Sequence, residues 1–116
     1  MTGEIQKQDL LDVFAQIEEP WKPELIASLN GQALRAALFE GEFVWHKPDE
    51  EDELFFVVQG ECELQFRDHS LQLSGGQLCV VPKGTLHRAV AKEPCLMLLL
   101  EPESTTPRGD SDQSLT

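Results

Sequence analysis

The sequence predicts an all-β domain, either a sandwich or a barrel, with one short α-helix in front of it. Between residues 24 and 101, short apolar segments of strand length alternate with turn signals, without helical periodicity between them. Asn30-Gly31 separates the first two segments and suits the positive φ angles of a tight hairpin. Ahead of them, apolar residues at helical spacing follow Asp9, a residue type suited to cap a helix.

The elements follow in order along the chain. The helix is predicted over Asp9–Ile17, and Pro20 and Pro23 end it. The predicted strands are Leu25–Leu29, Ala33–Phe39, Phe43–Trp45, Leu54–Val58, Cys62–Phe66, Leu71–Leu73, Leu78–Val81, Ala89–Val90 and Cys95–Leu100. The predicted domain organisation is a helix and linker over residues 1–23, a barrel over 24–101, and a disordered, Pro/Ser/Thr-rich tail over 102–116.

Composition limits the partners and the compartment. The chain has 116 residues, which suits one domain, and its formal charge of −12 argues against nucleic acid or an anionic membrane as a partner. No apolar run reaches the length of a membrane span, and the first residues lack the pattern of a signal peptide. The odd number of cysteines, each in an apolar stretch, favours buried reduced thiols and a cytoplasmic protein.

Two of the predicted strands are apolar on both faces. Leu54–Val58 and Leu96–Leu100 lack the alternation of Cys62–Phe66, in which every second residue is polar. Such strands need cover on both sides. A homodimer that covers part of Phe55–Val58 or Leu96–Leu100 provides it, and the alternative is that both faces are buried inside one chain.

The histidines and one glutamate are the candidate ligands of a metal site. His46 ends one predicted strand, Glu53 begins the next, and His87 follows a Pro-Lys-Gly turn. Neighbours within a strand point in opposite directions, so a metal site draws its imidazole and carboxylate donors from different strands. His69 lies in a predicted exposed turn, and we expect no role for it.

Two segments resemble the motifs of the cupin family. Gly41–Gly60 is similar to the first motif, which runs from glycine through His-x-His and a glutamate to a second glycine. Gly76–His87 is similar to the second motif, which runs from glycine through Pro-x-Gly to a histidine. This resemblance implies a single-domain jelly-roll β-barrel that holds a metal through three histidines and a glutamate. Position by position, it implies His46, Glu53 and His87 as ligands.

The chain departs from the cupin pattern where the second histidine is expected. Pro48 stands there, and proline has no side-chain donor for a metal. The three remaining ligands are a set used with Fe(II) and Zn(II), and Mn or Ni are further candidates. Asp49 or Glu50 can act as a substitute ligand, or the site can hold no metal at all. The acidic run Asp49–Glu53 is a solvated loop or a source of negative potential that draws cations.

Two functions therefore remain open. The first is a cupin that binds a divalent metal and a small-molecule ligand in its barrel, with isomerase, dioxygenase or lyase chemistry open to it. The alternative is a non-catalytic, metal-free cupin that acts as a ligand-binding or subunit-interaction module. Pro48 favours the second, whereas the presence of His46, Glu53 and His87 favours the first.

Overall fold

A computed structural model describes residues 5–48 and 50–104. The elements are one helix, α1 (Leu10–Ala15), and seven strands, β1 (Glu24–Leu29), β2 (Gln32–Glu42), β3 (Glu53–Gln59), β4 (Glu61–Phe66), β5 (Ser70–Ser74), β6 (Leu78–Val81) and β7 (His87–Pro102). Asp9 caps the helix, and its side chain accepts a hydrogen bond from the backbone N–H of Leu11. Asn30 and Gly31 both have positive φ, so the predicted hairpin turn is confirmed.

The predicted strands differ from the structure in two places. Phe43–Trp45 is not a strand, although Phe43 N–H donates to the carbonyl of Ala89 at 3.0 Å and an isolated bridge follows at His46. Ala89–Val90 and Cys95–Leu100 belong to one strand, β7. Between them the pairing advances four positions on β7, from Ala91 to Cys95, but only two on β2, from Phe39 to Gly41, so the polar residues form a bulge within β7 and not a turn.

Every strand pair is antiparallel, and β7 connects the two parts of the sheet. The strands follow the order β1-β2-β7-β3-β6, and β4 pairs with both β5 and β7. The first part of β7, from His87, pairs with β4, whereas the part from Leu96 pairs with β3. Sharing one long strand in this way bends the sheet around a single interior. The disordered tail was predicted to begin at residue 102, but Pro102 is the last residue of β7, and Glu103 N–H donates to the carbonyl of Gly31 at 2.9 Å. The rest of the predicted tail, residues 105–116, lies outside the described residues.

The interior is filled by alternate residues of the strands. Its largest fully buried apolar side chains are those of Phe39, Phe55, Leu64, Met97 and Leu99. A second apolar cluster lies on the outer face of the sheet, where Phe14 and Ile17, in and just after α1, pack against Ala36 and Leu98. The doubly apolar segments therefore receive part of their cover from the helix of the same chain. No helix in residues 5–48 and 50–104 is long and apolar enough to cross a membrane.

Candidate functional site

The structure brings His46 and His87 together through their backbones. The N–H of each residue donates to the carbonyl of the other, at 3.0 Å from His46 and 2.9 Å from His87. Residues opposed in this way carry their side chains on the same face of the sheet. That face is the barrel interior, where the two ring centroids lie 4.5 Å apart and the rings are almost completely buried.

Both imidazoles are held in the same tautomer. Nδ1 of His46 lies 3.1 Å from the carbonyl oxygen of Val44, and Nδ1 of His87 lies 2.9 Å from that of Thr85. A carbonyl only accepts, so each Nδ1 carries a proton and donates it, and in a neutral imidazole of this tautomer Nε2 keeps the lone pair. This is the arrangement that orients a histidine for metal ligation through Nε2.

Burial keeps His87 neutral. Desolvation, assisted by the neighbouring His46, lowers the pKa of His87 to about 4, although the hydrogen bond to Thr85 opposes the shift. Its Nε2 is buried and has no hydrogen-bond partner among the described residues. Phenylalanine rings meet the imidazoles edge-on: Phe55 packs on His87 with centroids 5.8 Å apart, and Phe43 packs on His46 at 5.3 Å. The histidine pair thus presents an unprotonated, desolvated donor in an apolar surrounding.

Glu53 lies inside the barrel but is engaged by a different group. Its side chain is buried and hydrogen-bonds that of Glu101, near the end of β7. Arg35 on β2 completes the cluster, with its Nη1 3.2 Å from Oε2 of Glu101. Desolvation raises the pKa of Glu101 to about 7, against the opposing charge of Arg35. Two buried carboxyl groups in hydrogen-bond contact are most stable when they share a proton.

The predicted ligands are therefore only partly assembled. In residues 5–48 and 50–104, no three His, Cys, Asp or Glu side chains are close enough together to hold a metal ion. Pro48 is buried, as is His46, whereas Lys47 between them is exposed, and the carbonyl of Pro48 accepts a hydrogen bond from Gly84 N–H at 2.6 Å. Glu50 is exposed, and Asp49 lies outside the described residues.

Sequence reasoning missed Arg35 and Glu101, although a signal was present. Along β7, Cys95, Met97 and Leu99 are interior residues, and Glu101 continues the same alternation. A carboxylate at an interior position needs a partner. Its partner Arg35 holds the corresponding place on β2, in line with Ala37 and Phe39.

A depression opens to solvent beside the histidine pair. Its volume is about 400 Å³, and its lining includes Lys47, Phe66, Arg67, His69 and Thr85. His69 is exposed in the turn between β4 and β5, as predicted, but the turn borders this depression.

The sequence and the fold are both similar to those of known proteins. Residues 39–101 match the family model described as "Cupin domain". The uncharacterized protein YdbB of Bacillus subtilis (strain 168) is 35% identical over 82 residues, which are 70% of this chain and 73% of that protein. A crystal structure of a cupin-2 domain containing protein from Shewanella frigidimarina NCIMB 400 has 36% identity and a TM-score of 0.81, and the alignment covers 83% of this chain and 94% of that one.

The crystal structure of protein NMB1881 from Neisseria meningitidis is also similar. It has 29% identity and a TM-score of 0.77, with 84% of this chain and all of that chain aligned. The family model covers more than half of the sequence, and it spans both motifs, the histidine pair and Glu53. The jelly-roll expectation is confirmed, and the chain belongs to the cupin domain family.

Proposed function

We propose that the barrel binds a divalent metal ion through Nε2 of His46 and His87, and that this metal serves a small-molecule ligand. The observation that carries the proposal is the pair of buried imidazoles whose Nδ1–H groups are both tied to backbone carbonyls. Iron, manganese, nickel and zinc all accept imidazole nitrogen. The cupin motifs that the chain resembles imply a metal held by histidines and a glutamate.

Glu53 is the proposed third ligand. It lies in the same interior, and two histidines with one carboxylate form a recognised ligand set for Fe(II) and Zn(II). To bind a metal together with the histidines, Glu53 must break its hydrogen bond with Glu101. Glu101 then still forms its ion pair with Arg35. Because Arg35 remains, the rearrangement does not leave Glu101 as an isolated buried charge.

The chain's own residues prepare the site for polar chemistry. The phenylalanine rings around the imidazoles exclude water, and burial keeps His87 unprotonated at neutral pH. A bound metal would supply Lewis acidity towards a substrate oxygen, which is useful in isomerase, dioxygenase and lyase reactions alike.

The second candidate is a metal-free cupin that binds a ligand or a subunit without catalysis. Pro48 in a ligand position and the hydrogen bond between Glu53 and Glu101 favour it. In this case the histidine pair is a structural part of the core, and its backbone bridge closes the barrel mouth.

Isothermal titration with Zn(II) and Ni(II) distinguishes the two candidates. We expect one site per chain in the wild type, and His87→Ala should weaken it at least 10–100-fold, about the range that changes to mere outer-shell partners produce. His69→Ala is the matched control, since it removes an exposed imidazole outside the barrel. His46→Ala gives a second test should His87→Ala fold poorly. Metal binding that survives both interior substitutions, or no binding by the wild type, would refute the metal site.

A further inference from the structure

Strand β6 lies at an edge of the sheet and has backbone groups that point away from its neighbour. In residues 5–48 and 50–104, β6 pairs only with β3. Bonded and non-bonded positions alternate along an antiparallel ladder, and Val57 N–H donates to the carbonyl of Gln77 at 2.9 Å. Counted in twos from Gln77, the positions that do not bond to β3 are Leu78 and Val80. Their N–H and C=O groups therefore point outward, where no hydrogen bond from the described residues reaches them.

The side chains of this edge are apolar as well. Leu78 and Val80 are 56% and 52% exposed. β6 contains no charged residue, no proline and no register shift, which are the features that keep an edge strand from pairing with another chain. The opposite edge of the sheet has such protection, because β1 contains a register shift and Gln8 Nε2 donates to the carbonyl of Ile26. β6 is thus an open edge that favours the addition of a further strand.

We propose that β6 pairs with β6 of a second copy of this chain, antiparallel about a two-fold axis at Cys79, so that the two sheets become continuous. In this register Leu78 lies opposite Val80 of the partner subunit, and each such pair exchanges two main-chain hydrogen bonds. The apolar side chains also meet across the new ladder and lose contact with water. The pairing does not depend on metal binding.

The residues on either side of β6 exclude the neighbouring registers. An axis at Val80 would place Leu78 opposite Pro82, which has no N–H to donate. An axis at Leu78 would place Val80 opposite Gly76, whose N–H already donates to β3 at 2.7 Å and whose φ of +87° is not that of a strand. An axis between two residues would set outward groups against groups that already bond to β3. The axis at Cys79 is therefore the one that joins unpaired groups to unpaired groups.

A second copy suits this edge better than an unrelated chain does. Any extended segment can satisfy free backbone groups, as in β-strand addition. The side chains beside those groups also need apolar partners, and a copy supplies them at the matching positions. Charge permits the contact, because residues 77–81 carry none, whereas the whole chain carries −12 and repels a copy elsewhere. An isologous contact of this kind closes after two chains, so it gives a dimer and not a fibre.

Oxidative cross-linking tests the register. Residues opposite each other at a non-hydrogen-bonded position have Cα atoms about 4.5 Å apart, which is within the range of a disulfide. Diamide should therefore join two copies through their Cys79 sulfurs, as it takes one hydrogen from each thiol and is reduced to the hydrazine, and peptide mass spectrometry identifies the bond. Cys79→Ser is the matched control, because it keeps the buried Cys62 and Cys95 and should give no cross-link.

Light scattering and hydrogen exchange measure the association itself. The wild type should be a dimer in which the N–H of Leu78 exchanges at least about 10-fold more slowly than in a monomeric Val80→Lys variant. Leu29→Lys is the matched control and should stay dimeric, since Leu29 is 58% exposed on the other edge strand, β1. Leu78→Lys gives a second test should Val80→Lys fold poorly.

The outcomes separate the pairing from its register. A wild-type monomer, or a dimer that both lysine substitutions in β6 leave intact, would overturn the pairing. A dimer that diamide joins through another cysteine, or does not join at all, would overturn the axis at Cys79.

Discussion

Replacing Gly60 by alanine tests a close approach of two backbone segments in the barrel. Gly60 lies between β3 and β4 with φ +101°, and an added Cβ would lie 2.9 Å from the carbonyl oxygen of Pro94 and 3.0 Å from Cα of Cys95. Both contacts are with backbone, which cannot move aside as a flexible side chain can. Gly76 is the matched position, because it has φ +87° and nothing within 4 Å of an added Cβ.

Both substitutions place an alanine at positive φ, but only Gly60→Ala also forces its methyl group against neighbouring backbone. An alanine at positive φ costs about 1–2 kcal/mol at either position. Forcing an additional methyl group into a packed contact costs a further 1–3 kcal/mol or so. We therefore expect Gly76→Ala to lower the free energy of unfolding by about 1–2 kcal/mol and Gly60→Ala by about 2–5 kcal/mol.

Urea unfolding followed by tryptophan fluorescence measures this difference. All three proteins should be compared at one protein concentration, so that association does not alter the comparison. The slope with urea should stay constant, and the midpoints should fall in the order wild type, Gly76→Ala, Gly60→Ala. Equal midpoints for the two variants would show that the contact with Pro94 and Cys95 does not constrain the turn.

Four further outcomes are expected. Pro48→His should tighten Zn(II) binding at least 10–100-fold or so by adding an imidazole, which calorimetry measures, and an unchanged affinity would mean that position 48 does not face the site. Glu101→Gln should flatten the loss of stability that the wild type shows as pH rises through about 7, because the folded pKa of this carboxyl lies above its unfolded value; parallel pH curves for the two proteins would contradict this. Light scattering should report a dimer that Val80→Lys converts to a monomer, since Leu78 and Val80 are 56% and 52% exposed on β6, and a wild-type monomer refutes the dimer. Burial raises the thiol pKa of Cys62 to about 12 and that of Cys95 to about 11, so both should react slowly with iodoacetamide in the native protein. Fast labelling of either cysteine would contradict its burial.

The features that the sequence predicts correctly depend on local patterns. The cap at Asp9 and the hairpin at Asn30-Gly31 require only adjacent residues, and the interior alternation of Cys62–Phe66 requires only a period of two. The continuity of β7 could not be predicted, because its polar residues form a bulge that is defined only by the pairing with β2.

In the candidate site, too, the features set by local sequence could be predicted, and those set by strand pairing could not. His46 and His87 could be selected because they fall at the histidine positions of the two motifs. The hydrogen bond between Glu53 and Glu101 could not be predicted, because these residues are far apart in the chain. Arg35 and Glu101 are 66 positions apart and meet only once β2 and β7 have paired. Sequence spacing carries no information on which of two buried partners a carboxylate will choose.

The bridge between His46 and His87 separates what is fixed in this site from what can vary. Since main-chain hydrogen bonds hold the two residues opposite each other, the spacing of their Cα atoms depends on the backbone pairing and not on neighbouring side chains. Pro48 and the residues 50–52 precede β3, which begins at Glu53, so a change of side chain at these positions alters no strand pairing. Natural variation or protein engineering can therefore change the side chains in this connection one at a time, while the backbone pairing of His46 with His87 is kept.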